Sequence, residues 1–289
     1  MSSTTRASLK DSYSFKTNVS RTLVYFVLIC LTLICIIPVW VLFVNSTRST
    51  VEIQSGLTLI PSSSLAFNWN KISTRNFSLY KGFANSTIIS VSTTILSVYF
   101  SVLTAYAIEV YDFKGKNFMQ QFIYVLVLIP QQISIIGFYQ YMSRLKLTNS
   151  YIPLIVPAIA APSSVFFAKQ YLETCVSRDL IYAARIDGCR EFGIFHRIML
   201  PIAKPGVFTL SIFAFTASWN NFFTPFILIS KTERYTLPML VQLLRGDTFR
   251  TEIGAVYLGL AVSVMPVIIV YVFLAKNIVS GLSLGAVKE

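Results

Sequence analysis

Uncharged apolar runs alternate along the chain with short charged segments. Six runs contain no Asp, Glu, Lys or Arg: 22–44, 84–108, 118–142, 151–168, 206–230 and 254–275. Each is long enough to cross about 30 Å of hydrocarbon as a helix. Strand-like alternation is absent, and a backbone in lipid must satisfy its own hydrogen bonds. The pattern predicts an all-α polytopic membrane protein with six transmembrane helices.

These runs divide the chain into five segments. We expect a cytoplasmic N-terminal leader over 1–21, a first transmembrane helix over 22–44, an extracellular loop over 45–83, a membrane core over 84–277 and a cytoplasmic tail over 278–289. The leader is polar, and we expect it to be loosely structured. The first run is too long for a signal peptide and lacks a small-residue cleavage site, so it is an uncleaved span.

Lysine and arginine set the orientation. With both termini in the cytoplasm, the inner segments hold fourteen of these residues and the outer loops hold ten. Positive charge collects on the cytoplasmic side of membrane proteins, so we expect both termini there.

Composition supports the membrane class and limits the chemistry. The chain is 54% hydrophobic and 12% charged, with a mean hydropathy of +0.65, and a soluble domain carries about twice that charged fraction. The net charge of +12 reflects basic loops rather than nucleic-acid binding. The four cysteines lack metal-site or disulfide spacing, so neither a metal nor a disulfide is expected.

The runs carry amides and prolines instead of charges. Ion-coupled transporters usually place ionisable groups within the bilayer, so the pattern argues against that class. Amides line a path for a neutral polar solute, or they join helices by hydrogen bonds; both interpretations remain open. The candidate pathway residues are Gln131, Gln132, Trp219, Asn220 and Asn221, since amides and an aromatic face suit sugars.

One stretch between the fourth and fifth runs is strongly charged. It reads IYAARIDGCREFGIFHRIMLP over 181–201 and holds the only histidine of the chain. Ser177 or Asp179 suits a helix N-terminus, and Gly188 suits the left-handed position after a helix end. A second helix over Glu191–Leu200 would be stopped by Pro201. We call this predicted pair of helices, residues 177–203, the knob.

The first knob helix has one low face. Spacing of i, i+3, i+4 and i+7 groups Leu180, Ala183, Ala184 and Asp187, and the alanines would let another surface approach closely. The alternative is an amphipathic helix that rests on the membrane surface.

The knob resembles the EAA motif of ABC importer permeases, EAA–x3–G–x9–I–x–L–P. Matching residues are Ala183, Ala184, Gly188, Ile198, Leu200 and Pro201, while Tyr182 stands where the family usually has glutamate. The resemblance implies a coupling helix that docks into a cleft on an ATPase subunit. The residues that it assigns to this coupling are Leu180, Tyr182, Ala183, Ala184, Asp187, Gly188, Ile198, Leu200 and Pro201.

Four further segments resemble carbohydrate-uptake permeases: 105–116, 128–157, 219–230 and 281–289. The last, GLSLGAVKE, is similar to the tail of the maltose-type second permease. This resemblance covers roughly 20–289 and implies the type I ABC importer transmembrane fold, with 84–277 as the permease core. Its implied partners are a second homologous permease, two ATPase subunits that bind ATP and Mg, and an extracytoplasmic solute-binding protein, in a bacterial plasma membrane.

No GxxxxGK[ST] nucleotide-binding loop occurs in the sequence. We therefore expect a non-enzymatic subunit that binds no cofactor and takes up a sugar or oligosaccharide by alternating access. The alternatives are an ion-coupled secondary transporter and a membrane scaffold or sensor. The outer loops hold ten basic residues against four acidic ones. This excess suggests either an acidic, uronate-containing oligosaccharide or an ordinary excess of basic residues with lipid contacts.

Overall fold

The computed structural model describes residues 3–74, 78–246 and 252–285, and their regular structure is helical. The description does not include the side chains of residues 3–20, 131 and 275–285. Four of the charged residues counted in the sequence analysis also lie outside it: Arg75, Asp247, Arg250 and Lys288. The α-helices are α1 Ser3–Ser46, α2 Thr50–Gln54, α3 Leu65–Ser73, α4 Leu79–Val110, α5 Lys116–Leu128, α6 Ile135–Arg144, α7 Ile152–Ile155, α8 Pro162–Cys175, α9 Arg178–Ile186, α10 Glu191–Ile194, α11 Leu200–Ile202, α12 Lys204–Trp219, α13 Phe223–Leu228, α14 Leu237–Gly246 and α15 Ile253–Gly285.

The all-α membrane class is confirmed. Within the residues that the structure describes, four helical segments are long and apolar enough to cross a membrane: Arg21–Ser46, Leu79–Val110, Ile152–Cys175 and Ile253–Leu274. Two bent pairs raise the number to six if each pair counts as one span: Lys116–Leu128 with Gln132–Arg144, and Glu191–Ile202 with Lys204–Trp219.

The predicted third and fifth spans are not continuous helices. Run 118–142 bends by 82° between α5 and α6, at Pro130, which has no N–H to donate and disfavours helix in the residue before it. Run 206–230 stops at Trp219 and resumes as α13 at Phe223. The absence of charge could not locate these breaks, because uncharged residues continue through both, with Gln131 and Gln132 at the first and Asn220 and Asn221 at the second.

The ends of two other runs also differ from prediction. Helix α1 begins at Ser3 and includes the leader that we expected to be loose, because no glycine or proline interrupts residues 3–37. Helix α15 extends to Gly285, through most of the predicted tail.

Run 151–168 carries no charge, but helix α8 extends beyond it and includes Lys169. Lys169 is 8% exposed within the candidate span Ile152–Cys175. Its Nζ lies 2.9 Å from Glu173 and 4.0 Å from Glu109 of α4. A buried cation is tolerated when carboxylates surround it.

Met1–Lys71 and Glu252–Ala261 form one compact unit. Within it, Glu52 accepts hydrogen bonds from the Ser49 backbone N–H at 2.7 Å and from the hydroxyls of Ser62 and Ser49 at 2.7 and 2.9 Å. These bonds, led by the Ser49 N–H, lower the pKa of Glu52 to about 2. The guanidinium of Arg48 is buried and donates to the side-chain oxygen of Asn45 and the carbonyls of Glu52 and Gly56. Buried polar bonds therefore order the predicted outer loop.

Ile72–Thr251 and Val262–Glu289 form a second compact unit. Helix α4 packs against α8 and α12, and their buried apolar side chains form a core with side chains from the knob. At the far end of α4 from the knob, the Ser86 hydroxyl accepts a hydrogen bond from the Leu237 backbone N–H at 2.8 Å. That bond satisfies a donor at the start of α14.

Candidate functional site

The first knob helix, α9, begins and ends where the sequence predicts. Ser177 occupies the position before the helix, although its side chain makes no capping bond. Gly188 has φ +79°. The Gly188 N–H donates to the Arg185 carbonyl at 3.0 Å, and the Cys189 N–H donates to the Ala184 carbonyl at 3.0 Å. This pair of bonds is the Schellman motif, in which a left-handed glycine closes a helix.

The second knob helix differs from prediction at Pro201. The chain continues from α10 through a π-turn over Phe195–Met199 into α11, and Pro201 lies inside α11. The Leu200 N–H closes the π-turn on the Phe195 carbonyl. The missing N–H of Pro201 therefore falls in the first turn of a new segment, where proline is tolerated, and the helix ends at Ile202.

The knob residues divide into an inner and an outer group. Ala184 and Ile181 are 5% and 1% exposed, packed in the core of the second unit, and Ile198 and Leu200 pack against that core. The outer group comprises Leu180, Tyr182, Ala183, Asp187, Gly188 and Pro201, which are all exposed. The predicted low face is therefore wrong for Ala184, because α9 turns that side toward its own chain.

The outer group is extended by apolar residues that the sequence analysis did not assign to the site. Ile186 is 86% exposed and Phe192 is 68% exposed. Isolated exposed apolar residues are ordinary, but these two flank the exposed turn at Gly188. Their positions in the sequence, just before and just after the predicted turn at Gly188, could have identified Ile186 and Phe192 as members of this surface.

A polar cluster holds the two knob helices together. The Arg185 Nε donates to Glu191 Oε1 at 2.7 Å, and the Tyr111 hydroxyl donates to Glu191 Oε2 at 2.5 Å. Arg185, then Tyr111, lower the pKa of Glu191, whereas burial and Glu191 raise the pKa of Tyr111. The Arg185 guanidinium lies 5.7 Å from the ring centre of Tyr182. Tyr182 therefore contacts a cation from its own chain.

The knob is also tied to the end of α4. Tyr111 directly follows that helix. Arg178 of α9 donates to the Glu109 carbonyl at 3.0 Å and lies 3.7 Å from the carboxylate of Asp112. The knob is thus bonded to the end of α4 at two points, through Arg178 at the start of α9 and through Glu191 at the start of α10.

The structure separates the candidate pathway residues. Trp219 is 1% exposed, and its Nε1–H donates to the Ser263 carbonyl at 2.8 Å. Its ring is stacked on Phe215, with centroids 5.6 Å apart. It is therefore a packed side chain rather than the exposed aromatic face that we expected. Asn220 and Asn221 are exposed, and Asn221 Oδ1 accepts from the Thr224 N–H at 3.2 Å.

The two glutamines lie at the break in the third span. Gln131 and Gln132 form part of a 3₁₀ turn between α5 and α6, and the side chain of Gln131 lies outside the described residues. Gln132 borders an open cavity of about 540 Å³ together with Pro130, Pro162 and Ser163. Asn221 borders a different, small cavity. Gln132 and Asn221 therefore border two separate cavities rather than a single one.

Several apolar helices and a helical knob bonded to one of them define a multi-pass membrane protein. The chain belongs to the family described as "Binding-protein-dependent transport system inner membrane component", which matches residues 97–284. It is accordingly a permease subunit of an ABC importer, which is a transport component and not an enzyme.

Named relatives match most of the chain. The arabinooligosaccharides transport system permease protein AraQ of Halalkalibacterium halodurans is 36% identical over 259 residues, covering 88% of this chain and 92% of that protein. AraQ of Bacillus subtilis is 34% identical over 261 residues, covering 89% and 92%. A crystal structure of a bacterial ABC transporter involved in the import of the acidic polysaccharide alginate aligns with a TM-score of 0.76 at 20% identity, over 90% of this chain and 97% of that one. This likeness supports the type I permease fold.

Proposed function

We propose that this chain imports an oligosaccharide across a bacterial plasma membrane by alternating access, with both termini in the cytoplasm. A second homologous permease completes the pore, and an extracytoplasmic solute-binding protein delivers the sugar. Two ATPase subunits bind ATP and Mg, and one of them docks on the knob of this chain. Closure of the ATPase pair moves the knob, and α4 with it, between inward-facing and outward-facing states, which requires contacts that differ between the states.

The exposed outer group of the knob carries this proposal. It combines a rigid glycine-closed turn, exposed Leu180, Tyr182 and Ile186, and bonds to α4. A helix that only rests on the membrane would not need these two ties to the end of α4. The test is uptake by the whole complex with the phosphate-binding lysine of the ATPase replaced. Loss of uptake supports the proposal, whereas normal uptake would favour an ion-coupled transporter.

Two adjacent alanines separate docking from folding. Ala183→Arg places a bulky charge on the exposed side of α9, so we expect loss of ATPase co-purification with unchanged melting of the permease. Ala184→Arg buries an unpaired charge, so we expect it to lower the melting temperature. The measurements are pull-down of the ATPase in detergent and thermal unfolding. If Ala183→Arg binds the ATPase normally, the docking surface lies elsewhere.

An oligosaccharide substrate is supported by the names of the relatives and by Asn221, an exposed amide at the break in the fifth span. Neutral sugar is favoured over the acidic alternative because some outer basic residues already have partners. Arg48 is buried and hydrogen bonded, Lys71 lies 3.4 Å from Glu252, and Arg234 donates to the Asn149 carbonyl. Competition of uptake by neutral and by uronate-containing oligosaccharides decides between the two classes.

Replacement of Asn221 tests the pathway. Asn221→Leu removes the amide and the acceptor for the Thr224 N–H, while Asn221→Asp keeps the acceptor. Loss of one hydrogen bond to sugar should raise the KM of uptake by about tenfold. We expect this in Asn221→Leu and in Asn220→Leu, with ATPase docking intact. Normal uptake by both leucine variants would remove these asparagines from the pathway.

A further inference from the structure

A small polar cavity lies where α4, the end of α12 and the residue before α14 meet. Its volume is about 20 Å³, and its polar lining residues are Ser86, Ser90, Ser218, Asn221 and Thr236. Trp219 closes one side with its ring. The cavity is thus at the break in the fifth span, beside Asn221.

Two hydroxyls at this cavity have no hydrogen-bond partner among the described residues. Ser90 and Thr236 are 1% and 3% exposed, and neither side-chain oxygen makes a hydrogen bond. Two neighbouring oxygens already accept a hydrogen bond: the Ser86 hydroxyl from the Leu237 N–H, and Asn221 Oδ1 from the Thr224 N–H. Buried hydroxyls are rarely left unpartnered, because desolvation then has no compensation.

The dimensions limit what can fill the cavity. A volume of about 20 Å³ exceeds the roughly 10–15 Å³ that one water molecule needs, and is far below a sugar ring. We propose that the cavity binds one hydrogen-bonding group of hydroxyl size, held by Ser90 and Thr236. The group is either a water molecule or one hydroxyl of the transported sugar. The second source rests on the proposed function, and it would enter past Asn221, the exposed member of the lining.

Such a group would connect helix α4 with the start of α14 next to the fifth-span break. It would connect α4, through Ser90, to the residue that precedes α14, through Thr236. The Ser86 bond to Leu237 makes a second connection between the same elements one helical turn away.

The proposal is tested by whether removing either hydroxyl lowers or raises the melting temperature. In the assembled transporter in nanodiscs, Thr236→Val keeps the shape of the side chain and removes its hydroxyl, and Ser90→Ala removes the other. Ser101→Ala is the matched control, because Ser101 lies on the same helix, is 0% exposed and also has an unpartnered hydroxyl, but borders none of the cavities described above. If the cavity is empty, Thr236→Val and Ser90→Ala should both melt at or above the wild-type temperature, as we expect for Ser101→Ala.

Two supporting outcomes distinguish the sources. If the group is water, Thr236→Val and Ser90→Ala lower the melting temperature without sugar, the double variant is less than additive, and the KM of uptake is unchanged. If the group is a sugar hydroxyl, melting without sugar matches that of Ser101→Ala while the KM rises several-fold. Thr236→Ser, which keeps the hydroxyl, should restore either property. The proposal is overturned if both variants match Ser101→Ala in melting and in KM. Failure of wild-type sugar uptake would instead overturn the proposed function, and the melting comparison would still stand.

Discussion

Gly188→Val is expected to uncouple the permease from its ATPase. Gly188 holds φ +79°, and a residue with a Cβ pays about 1–2 kcal/mol there, which corresponds to roughly a 5–30-fold loss of the closed turn. Apart from its two chain neighbours, no described residue has an atom within 4 Å of a Cβ at this position. The effect therefore comes from the backbone and from bulk at the docking surface. Substrate-stimulated ATP hydrolysis and ATPase pull-down should both fall.

Two controls isolate the backbone effect. Gly188→Asn should be mild, since asparagine tolerates the left-handed region better than other non-glycine residues. Gly193→Ala adds a Cβ in open space within α10, where φ is not positive, and should be nearly silent. If Gly188→Val stimulates ATP hydrolysis and binds the ATPase as wild type does, the coupling assignment of the knob is wrong.

Reversing the charge of Arg185 is expected to have the second largest effect. Arg185→Glu would place a carboxylate beside Glu191, whose own carboxylate now accepts bonds from Arg185 and Tyr111. The charged side chains are partly exposed, and isolated exposed ion pairs contribute little. The expected loss comes from misplacing α10 relative to α9. Sugar transported per ATP hydrolysed should fall more than basal ATP hydrolysis.

Exchange of the two charges is the rescue test. The double variant Arg185→Glu with Glu191→Arg should recover part of the coupling that each single variant loses. Arg185→Lys keeps the charge but not the planar guanidinium, so it should be intermediate. If the double variant is as impaired as the sum of the singles, the pair does not act through mutual contact.

The pKa of Glu191 predicts the pH range of this cluster. The folded pKa lies below the ordinary carboxyl value, so the stabilisation is present above that value, about 4.3, and is lost as pH falls through the lowered pKa. Arg185 stays charged throughout. Coupling through this pair should therefore be insensitive to pH near neutrality.

Local chemistry predicted some parts of the molecule well. Gly188 follows a helix whose length and ends are visible in the sequence, and its left-handed conformation follows from that position alone. The all-α membrane class follows equally directly, from runs without charge. These features depend on residues that are near one another along the chain.

Other parts depend on which neighbour a helix meets. Ala183 and Ala184 are chemically identical, and only packing against α4 and α8 decides which one is buried. Arg185 and Glu191 pair across a turn whose direction is set by Gly188, so helix spacing rules do not reveal them. The sequence predicts that Trp219 offers an aromatic face to a sugar. In the structure its ring is buried, and its N–H donates to the Ser263 carbonyl.

Helix α4 is a long, uninterrupted helix that connects the knob with the region around α14. Its 32 residues, which include no proline, extend about 48 Å, whereas the third and fifth spans are broken. One end is bonded to the knob, and near the other Asn85 donates to the carbonyls of Glu233 and Tyr235. A tilt of about 5° imposed at the knob would displace the far end of such a rod by about 4 Å. That displacement would be carried to the loop before α14, because no proline or break interrupts α4 between its two ends.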